Sequence, residues 1–310
     1  MKEYIREKLL ETGACAVGFA VAGEIDSNIH ESFIEWIGKG WHGEMQYLER
    51  HITLRQNTDN VLPGAATVIS VAYDYTPDGW MSPLLPCISS YAYGEDYHKV
   101  LRKILKPVVK KFEDKFGGKW RICIDSAPVA ERYWALKSGI GKRGLNGSVI
   151  VENCGALCYL VEILTSHKII PDQASLTVCS SCGECMKVCP SGALKGDGTM
   201  DSRLCINYLT IEKGSDFSEK EKNLLSSGSG FLFGCDRCLR VCPHNKPPKP
   251  SHPFWNQPIE NLHHLTAEKI LSMDSCEFKK TFKDSPLLYA GYDRLRRNAL
   301  AIKTKATENT

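Results

Sequence analysis

Eight cysteines between positions 179 and 242 constrain this chain more than any other feature. Cys179, Cys182, Cys185 and Cys189 follow the spacing Cys-x2-Cys-x2-Cys-x3-Cys, closed by Pro190. This is the bacterial ferredoxin run, in which three cysteines hold one 4Fe–4S cluster and the fourth holds a second. Cys235, Cys238 and Cys242, closed by Pro243, form a second group one cysteine short. Two cubanes need eight thiolates, and Cys205, between the groups, is the natural eighth. Chain crossing then gives one set of Cys179, Cys182, Cys185 and Cys242, and another of Cys189, Cys205, Cys235 and Cys238. Structural zinc on the two Cys-x2-Cys pairs is the simpler alternative. It would leave Cys179, Cys189, Cys205 and Cys242 without a role.

The other six of the 14 cysteines, Cys15, Cys87, Cys123, Cys154, Cys158 and Cys276, lack ligand spacing and read as small buried hydrophobes. The amino terminus alternates charges and has no apolar core of a secretory signal, so a reducing cytoplasmic setting is expected, where metal binding is commoner than disulfides. No uncharged apolar stretch is long enough to span a membrane. Apolar residues make up 43% and charged residues 24%, enough to bury a sizeable core, and a net charge of +3 does not by itself announce a nucleic-acid binder.

Three regions follow. Residues 1–170 mix helices with strands and read as an α/β sandwich in an α+β chain. Helices are expected over 1–13, within Phe33–Leu48, over Tyr97–Phe116 and over Ala127–Lys137, the last with Pro128 in its first turn. Strands are expected over 14–20, 66–73 and 120–124, and a hairpin or pair over 148–152 and 156–164. Residues 171–250 form the ferredoxin-like module, with a flexible loop at Ser226–Gly230 and a stiff linker at Lys246–Pro250. Residues 251–310 read as a helical segment packed on the core.

Ile124-Asp125-Ser126-Ala127-Pro128-Val129-Ala130-Glu131-Arg132, Tyr93-Gly94-Glu95-Asp96-Tyr97-His98 and the cysteine groups carry a resemblance to the epoxyqueuosine reductase family. Asp201 to Thr210, around Cys205, and Phe233-Gly234-Cys235-Asp236 extend it over nearly the whole chain. The resemblance implies a sandwich like the catalytic domain of reductive dehalogenases, with a cobalamin between it and the cluster module. It implies reduction of epoxyqueuosine to queuosine at the tRNA anticodon, with electrons passing from the clusters to the cobalamin. An external donor such as a flavodoxin or ferredoxin system would supply them, and a monomer is expected. Asp125 is the expected proton donor, its pKa raised by burial against the corrin. Arg55, Tyr97, His98, Asn146, Ser148, Val149 and Leu160 are the expected cobalamin contacts. The glycine-rich stretch Gly139–Ser148 suits close approach to a flat macrocycle. Members usually carry tryptophan at Lys142 and lysine at Leu145, whereas Asn146 is kept.

Lys99, Arg102, Lys103, Lys106 and Lys110 share one helix face, and Lys111, Lys115, Lys119 and Arg121 extend the run. Arg294, Arg296, Arg297, Lys303 and Lys305 form a second basic group. Either is a candidate for tRNA phosphates, and Trp41, Trp80, Tyr93 and Trp134 are candidates for base stacking. Many relatives continue into a helical-repeat domain; with the chain ending soon after Ala299, a short form with salt-sensitive tRNA binding is expected. A cobalamin-dependent dehalogenase and a ferredoxin-type carrier are the competing readings.

Overall fold

The longest apolar run, Thr67–Asp74, has no polar face: all eight residues are buried, so the strand they form must be covered on both sides. The computed structural model describes residues 1–77, 87–152, 154–175, 177–226, 230–245, 262 and 265–303. Trp80, Lys305, the Lys246–Pro250 linker and the middle of the Ser226–Gly230 loop lie outside them.

Four strands, β1 (Ala16–Val21), β2 (Thr67–Asp74), β3 (Trp120–Cys123) and β6 (Cys158–Thr165), form an antiparallel sheet in the order β1-β2-β6-β3. Strand alternation assigns the two faces. Ile69, Val71, Tyr73, Val161 and Ile163 meet α1 (Lys2–Leu10) and α2 (Tyr97–Phe116) through Ile5, Leu9, Leu101, Leu105 and Phe112. On the other face, Val68 and Leu164 pack with Trp134 of α3 (Glu131–Lys137). The first 170 residues thus contain the expected helix–sheet–helix sandwich. Gly18 is required where β1 passes the end of α3, because a Cβ there would sit 2.1 Å from the Ser138 carbonyl oxygen.

Three expectations need correction. Strand 148–152 does not pair with 156–164: β5 (Val149–Val151) pairs with β4 (Gly141–Arg143), while β6 has β2 and β3 as neighbours. Part of the expected glycine-rich loop is therefore strand. Helix α3 begins at Glu131 rather than Ala127, because a residue before proline is driven out of the helical region. Phe33–Leu48 holds helix as expected, broken at the glycines between Ser27–Gly38 and Gln46–Arg50. Finally, Cys15 and Cys154 are not isolated apolar side chains; they are joined in a disulfide with Cα atoms 6.5 Å apart.

The chain returns from the cysteine-rich region into helices at Ala267–Ser272, Ser275–Thr281 and Leu287–Ala290, and then α4 (Tyr292–Lys303). Fully buried Asn298 anchors α4, donating from Nδ2 to the carbonyls of Thr210 at 2.8 Å and Leu232 at 2.9 Å. Among the described residues no helix is long and apolar enough to cross a membrane.

Truncating Asn298 leaves two buried carbonyls without donors. Asn298→Ala is expected to cost about 2–4 kcal/mol in urea unfolding. Exposed Lys279→Ala should stay within about 0.5 kcal/mol. Equal effects would contradict this anchoring.

Candidate active site

Strand β3 stops at Cys123, opposite Glu162, so Cys158–Val161 of β6 pair with β2 on one side and are open on the other. Beyond that end the chain turns sharply. Asp125 adopts a left-handed backbone, φ 45°, which aims its carboxyl out of the sheet edge.

The first turn of α2 meets it. Asp96 caps the helix by accepting from the His98 backbone N–H, and also holds the His98 ring at Nδ1, 2.8 Å away. Tyr97 donates its hydroxyl to Asp125 Oδ2 at 2.9 Å, and His98 Nε2 lies 3.2 Å from the same oxygen. Tyr97 is stacked between His98, 4.1 Å between centroids, and Tyr159, 4.6 Å. These rings leave the phenol and imidazole little freedom to turn away. The Asp125 side chain is still 59% exposed, open to the cleft.

Burial disfavours charge on His98, but hydrogen bonds to Asp125 and Asp96 outweigh it and push its pKa up to about 9. Burial pushes the Tyr97 phenol well above its ordinary range, and the Asp125 carboxylate pushes it further. For Asp125, burial raises the pKa, yet hydrogen bonds from His98 and Tyr97 and the nearby Arg55 charge bring it below the usual value. This corrects the expected raised pKa. At neutral pH Asp125 is a carboxylate, and the protons sit on its neighbours.

Of the expected cofactor contacts, the fold gathers two sets. Arg55, Tyr97 and His98 surround Asp125, with Arg55 donating to the Val129 carbonyl at 3.0 Å. The buried Arg55 Nε has no hydrogen-bond partner among the described residues, a spare donor for an amide-fringed ligand. Val149 and half-buried Leu160 share an apolar cluster with Ala72 and Ile140. Asn146 accepts from the Ser148 backbone N–H at 3.1 Å and donates to the Cys238 carbonyl at 3.2 Å, tying this side to the cysteine-rich segment. An apolar patch and the spare Arg55 donor are of the chemical kinds that suit a flat macrocycle with polar amide edges.

The first expected cysteine set converges: Cys179, Cys182, Cys185 and Cys242 line one small cavity of about 20 Å³. In the second, burial raises the pKa of Cys238, and the nearby thiols of Cys205, Cys235 and Cys189 raise it further. Buried thiolates that repel one another call for a cationic partner, which iron supplies. Among the described residues no three His, Cys, Asp or Glu side chains converge on a single-metal site.

The second basic group is largely engaged. Arg294 donates to the Ile211 carbonyl, Arg297 donates to the carbonyls of Lys213 and Leu209, and Lys303 pairs with Glu268. Arg296 stays exposed, as do Lys99, Arg102, Lys103, Lys106 and Lys110 on α2. Trp134 is 2% and Tyr93 3% exposed, so both are core and neither is open to stacking. Trp41 carries the ammonium groups of Lys39 and Lys195 near its ring. Two site residues escaped the sequence reading: Asp96 and Glu131. Glu131 accepts from the Asp125 backbone N–H at 2.7 Å. A capping position before Tyr97 was the available signal for Asp96.

A carboxylate ringed by protonated groups, beside a module that suits two iron–sulfur clusters, defines an iron–sulfur oxidoreductase. Residues 178–245 match the 4Fe-4S double cluster binding domain, and residues 55–126 match the model described as epoxyqueuosine reductase QueG, DUF1730. The second match runs from Arg55 to just past Asp125. The chain is 31% identical over 308 residues to an epoxyqueuosine reductase from Cyclobacterium marinum, covering 97% of each. It superimposes with a TM-score of 0.86 on an epoxyqueuosine reductase solved with an epoxyqueuosine-modified tRNA-Tyr stem loop, at 26% identity. That likeness covers 97% of this chain and 80% of the other. A Bacillus subtilis epoxyqueuosine reductase, solved with an aspartate-bearing catalytic loop swung out of its active site, gives 0.83 at 26% identity and the same coverage. The chain belongs to the epoxyqueuosine reductase family.

The raised pKa of His98 has a consequence for stability. Below about pH 6.5 both folded and unfolded imidazoles are charged and the stabilisation is fully present. As pH rises, the unfolded chain releases its proton first, so stability declines and the His98 contribution is gone above about 9. Ring-proton NMR should find the His98 midpoint near 9, falling toward the ordinary value in Asp96→Asn. A midpoint already ordinary in the parent would contradict the network.

Proposed function

We propose that this chain reduces epoxyqueuosine to queuosine at the wobble position of tRNA, with Asp125 delivering the proton to the departing epoxide oxygen. Opening the epoxide to an alkene and releasing its oxygen as water takes two electrons and two protons. The observation that carries the reading is the Asp125 carboxylate, held by Tyr97 and His98 at the open flank of β6 within the family-matched segment. The stem-loop complex and the aspartate loop described for two structural neighbours support it.

The protonated His98 restores a proton to Asp125 across 3.2 Å. When substrate covers the cleft, water leaves the exposed carboxylate and its neutral, donating form is favoured. Tyr97 holds the carboxyl in place through Oδ2 during this change. Asn146, Ser148, Val149, Leu160, Arg55, Tyr97 and His98 would hold the cobalamin. When bound, it supplies a strongly reducing cobalt centre, chemistry that protein side chains lack.

Cys179, Cys182, Cys185 and Cys242 hold one cluster, and Cys189, Cys205, Cys235 and Cys238 the other. The clusters so held would supply one-electron transfer chemistry between the cleft and an external flavodoxin- or ferredoxin-type donor. Residues 1–170 would thus form the catalytic unit, 171–250 the electron-delivery unit and 251–310 its packing support, in a cytoplasmic monomer. The exposed basic face of α2 offers phosphate contacts to the anticodon stem-loop.

In anaerobic single-turnover assays on an epoxyqueuosine stem-loop, Asp125→Ala is expected to lose about 100-fold or more in rate, with iron and corrin retained. Turnover within about threefold of the parent would exclude Asp125 as the donor. Cys205→Ala should lower iron from roughly eight to about four atoms per chain, whereas exposed Cys276→Ala should not. Equal iron loss in both would overturn the ligand assignment.

A further inference from the structure

The left-handed turn at Asp125 needs something to hold it. Only Asp125 and Ser181 have positive φ among the described non-glycine residues. That conformation costs an L-residue roughly 1–2 kcal/mol. Residues 124–130 connect β3 to α3 with no regular structure of their own. Tyr97 and His98 hold the Asp125 carboxylate, and two further side chains bond the loop's backbone: Arg55, at the Val129 carbonyl, and Glu131, whose Oε1 accepts the Asp125 backbone N–H at 2.7 Å.

We propose that Glu131 is the positioning residue of this site: its carboxyl latches the Asp125 peptide and keeps the proton-delivering side chain aimed into the cleft. The inference rests on Asp125 being that donor. It assigns to Glu131 a contact with the backbone of the acid, outside the reacting atoms.

The charge state suits the task. Burial, and then the Asp125 carboxylate beside it, raise the Glu131 pKa far above the ordinary carboxylate range. A neutral Glu131 accepts the N–H without placing a second anion against Asp125. The groups that face it are Asp125, Arg55, Arg132, Cys123 and Glu162. Glu162 is fully buried on β6 opposite Ser70, and burial pushes its carboxyl well above the ordinary range.

A neutral acceptor of the same length should replace it. Glu131→Gln keeps an oxygen where Oε1 lies. Glu131→Asp keeps the acid but is too short to reach, and Glu131→Ala removes it. In the holoenzyme, hydrogen exchange of the peptide containing the Asp125 amide is expected to quicken about tenfold or more in the Ala and Asp variants. Their single-turnover rate should fall about tenfold or more, with unchanged stem-loop affinity and iron content. Glu131→Gln should remain within about threefold of the parent in both. Exchange unchanged in Ala and Asp, or Gln behaving like Ala, would overturn the latch. Asp125→Ala is run in parallel. If it turns over fully, the donor reading fails and the catalytic part of this inference falls with it. If Asp125→Ala is inactive while Glu131→Ala is fully active, the donor stands and the latch alone is refuted.

Discussion

A single carboxylate oxygen, Oδ2 of Asp125, receives the Tyr97 phenol and faces the His98 imidazole, and the rest of the site is arranged around that meeting. Consecutive residues of a helix ordinarily point in different directions. Tyr97 and His98 reach one oxygen because they sit in the first turn of α2, where Asp96 caps the backbone and turns the His98 ring. The aromatic stack from Tyr159 through Tyr97 to His98 fixes the outcome. On the opposite side, the early end of β3 and the left-handed Asp125 backbone supply the space. A carboxylate so placed is ionised at rest, with the Tyr97 hydroxyl and a protonated His98 beside it.

Buried polar contacts fasten the cysteine-rich half to the sheet domain. Asn146 reaches the Cys238 carbonyl from the sheet domain, and Asn245 accepts from the Ala156 backbone N–H at 2.9 Å. Buried Asp236, beside Cys235, accepts from the Ser89 hydroxyl and the Ser90 backbone N–H. Asn298 ties α4 to the carbonyls of Thr210 and Leu232, both ahead of the second cysteine group. Each of these groups would be costly to bury unpaired, so relative sliding of the two halves breaks several bonds together.

What could be read from the sequence was local in origin. The cysteine groups declare themselves because cubane ligands recur at short spacings, and the four residues chosen by chain crossing do line one cavity. Helix α2 spans Tyr97–Phe116, as its caps and apolar period predict. Long-range pairing was not legible: nothing in the spacing joins Cys15 to Cys154, or assigns β5 to β4 instead of β6. The direction of the Asp125 pKa depends on two donors about 28 residues away, which composition cannot supply. Glu131 was hidden by starting α3 four residues early, which made it an ordinary helical side chain.

Nucleoside mass spectrometry of tRNA tests the central claim most directly. Epoxyqueuosine-containing tRNA is incubated anaerobically with the fully iron- and cobalamin-loaded protein and a low-potential reductant. The account predicts that the modified nucleoside loses the mass of one oxygen and co-elutes with queuosine. An unchanged epoxide, with both cofactors verified on the protein, would contradict it.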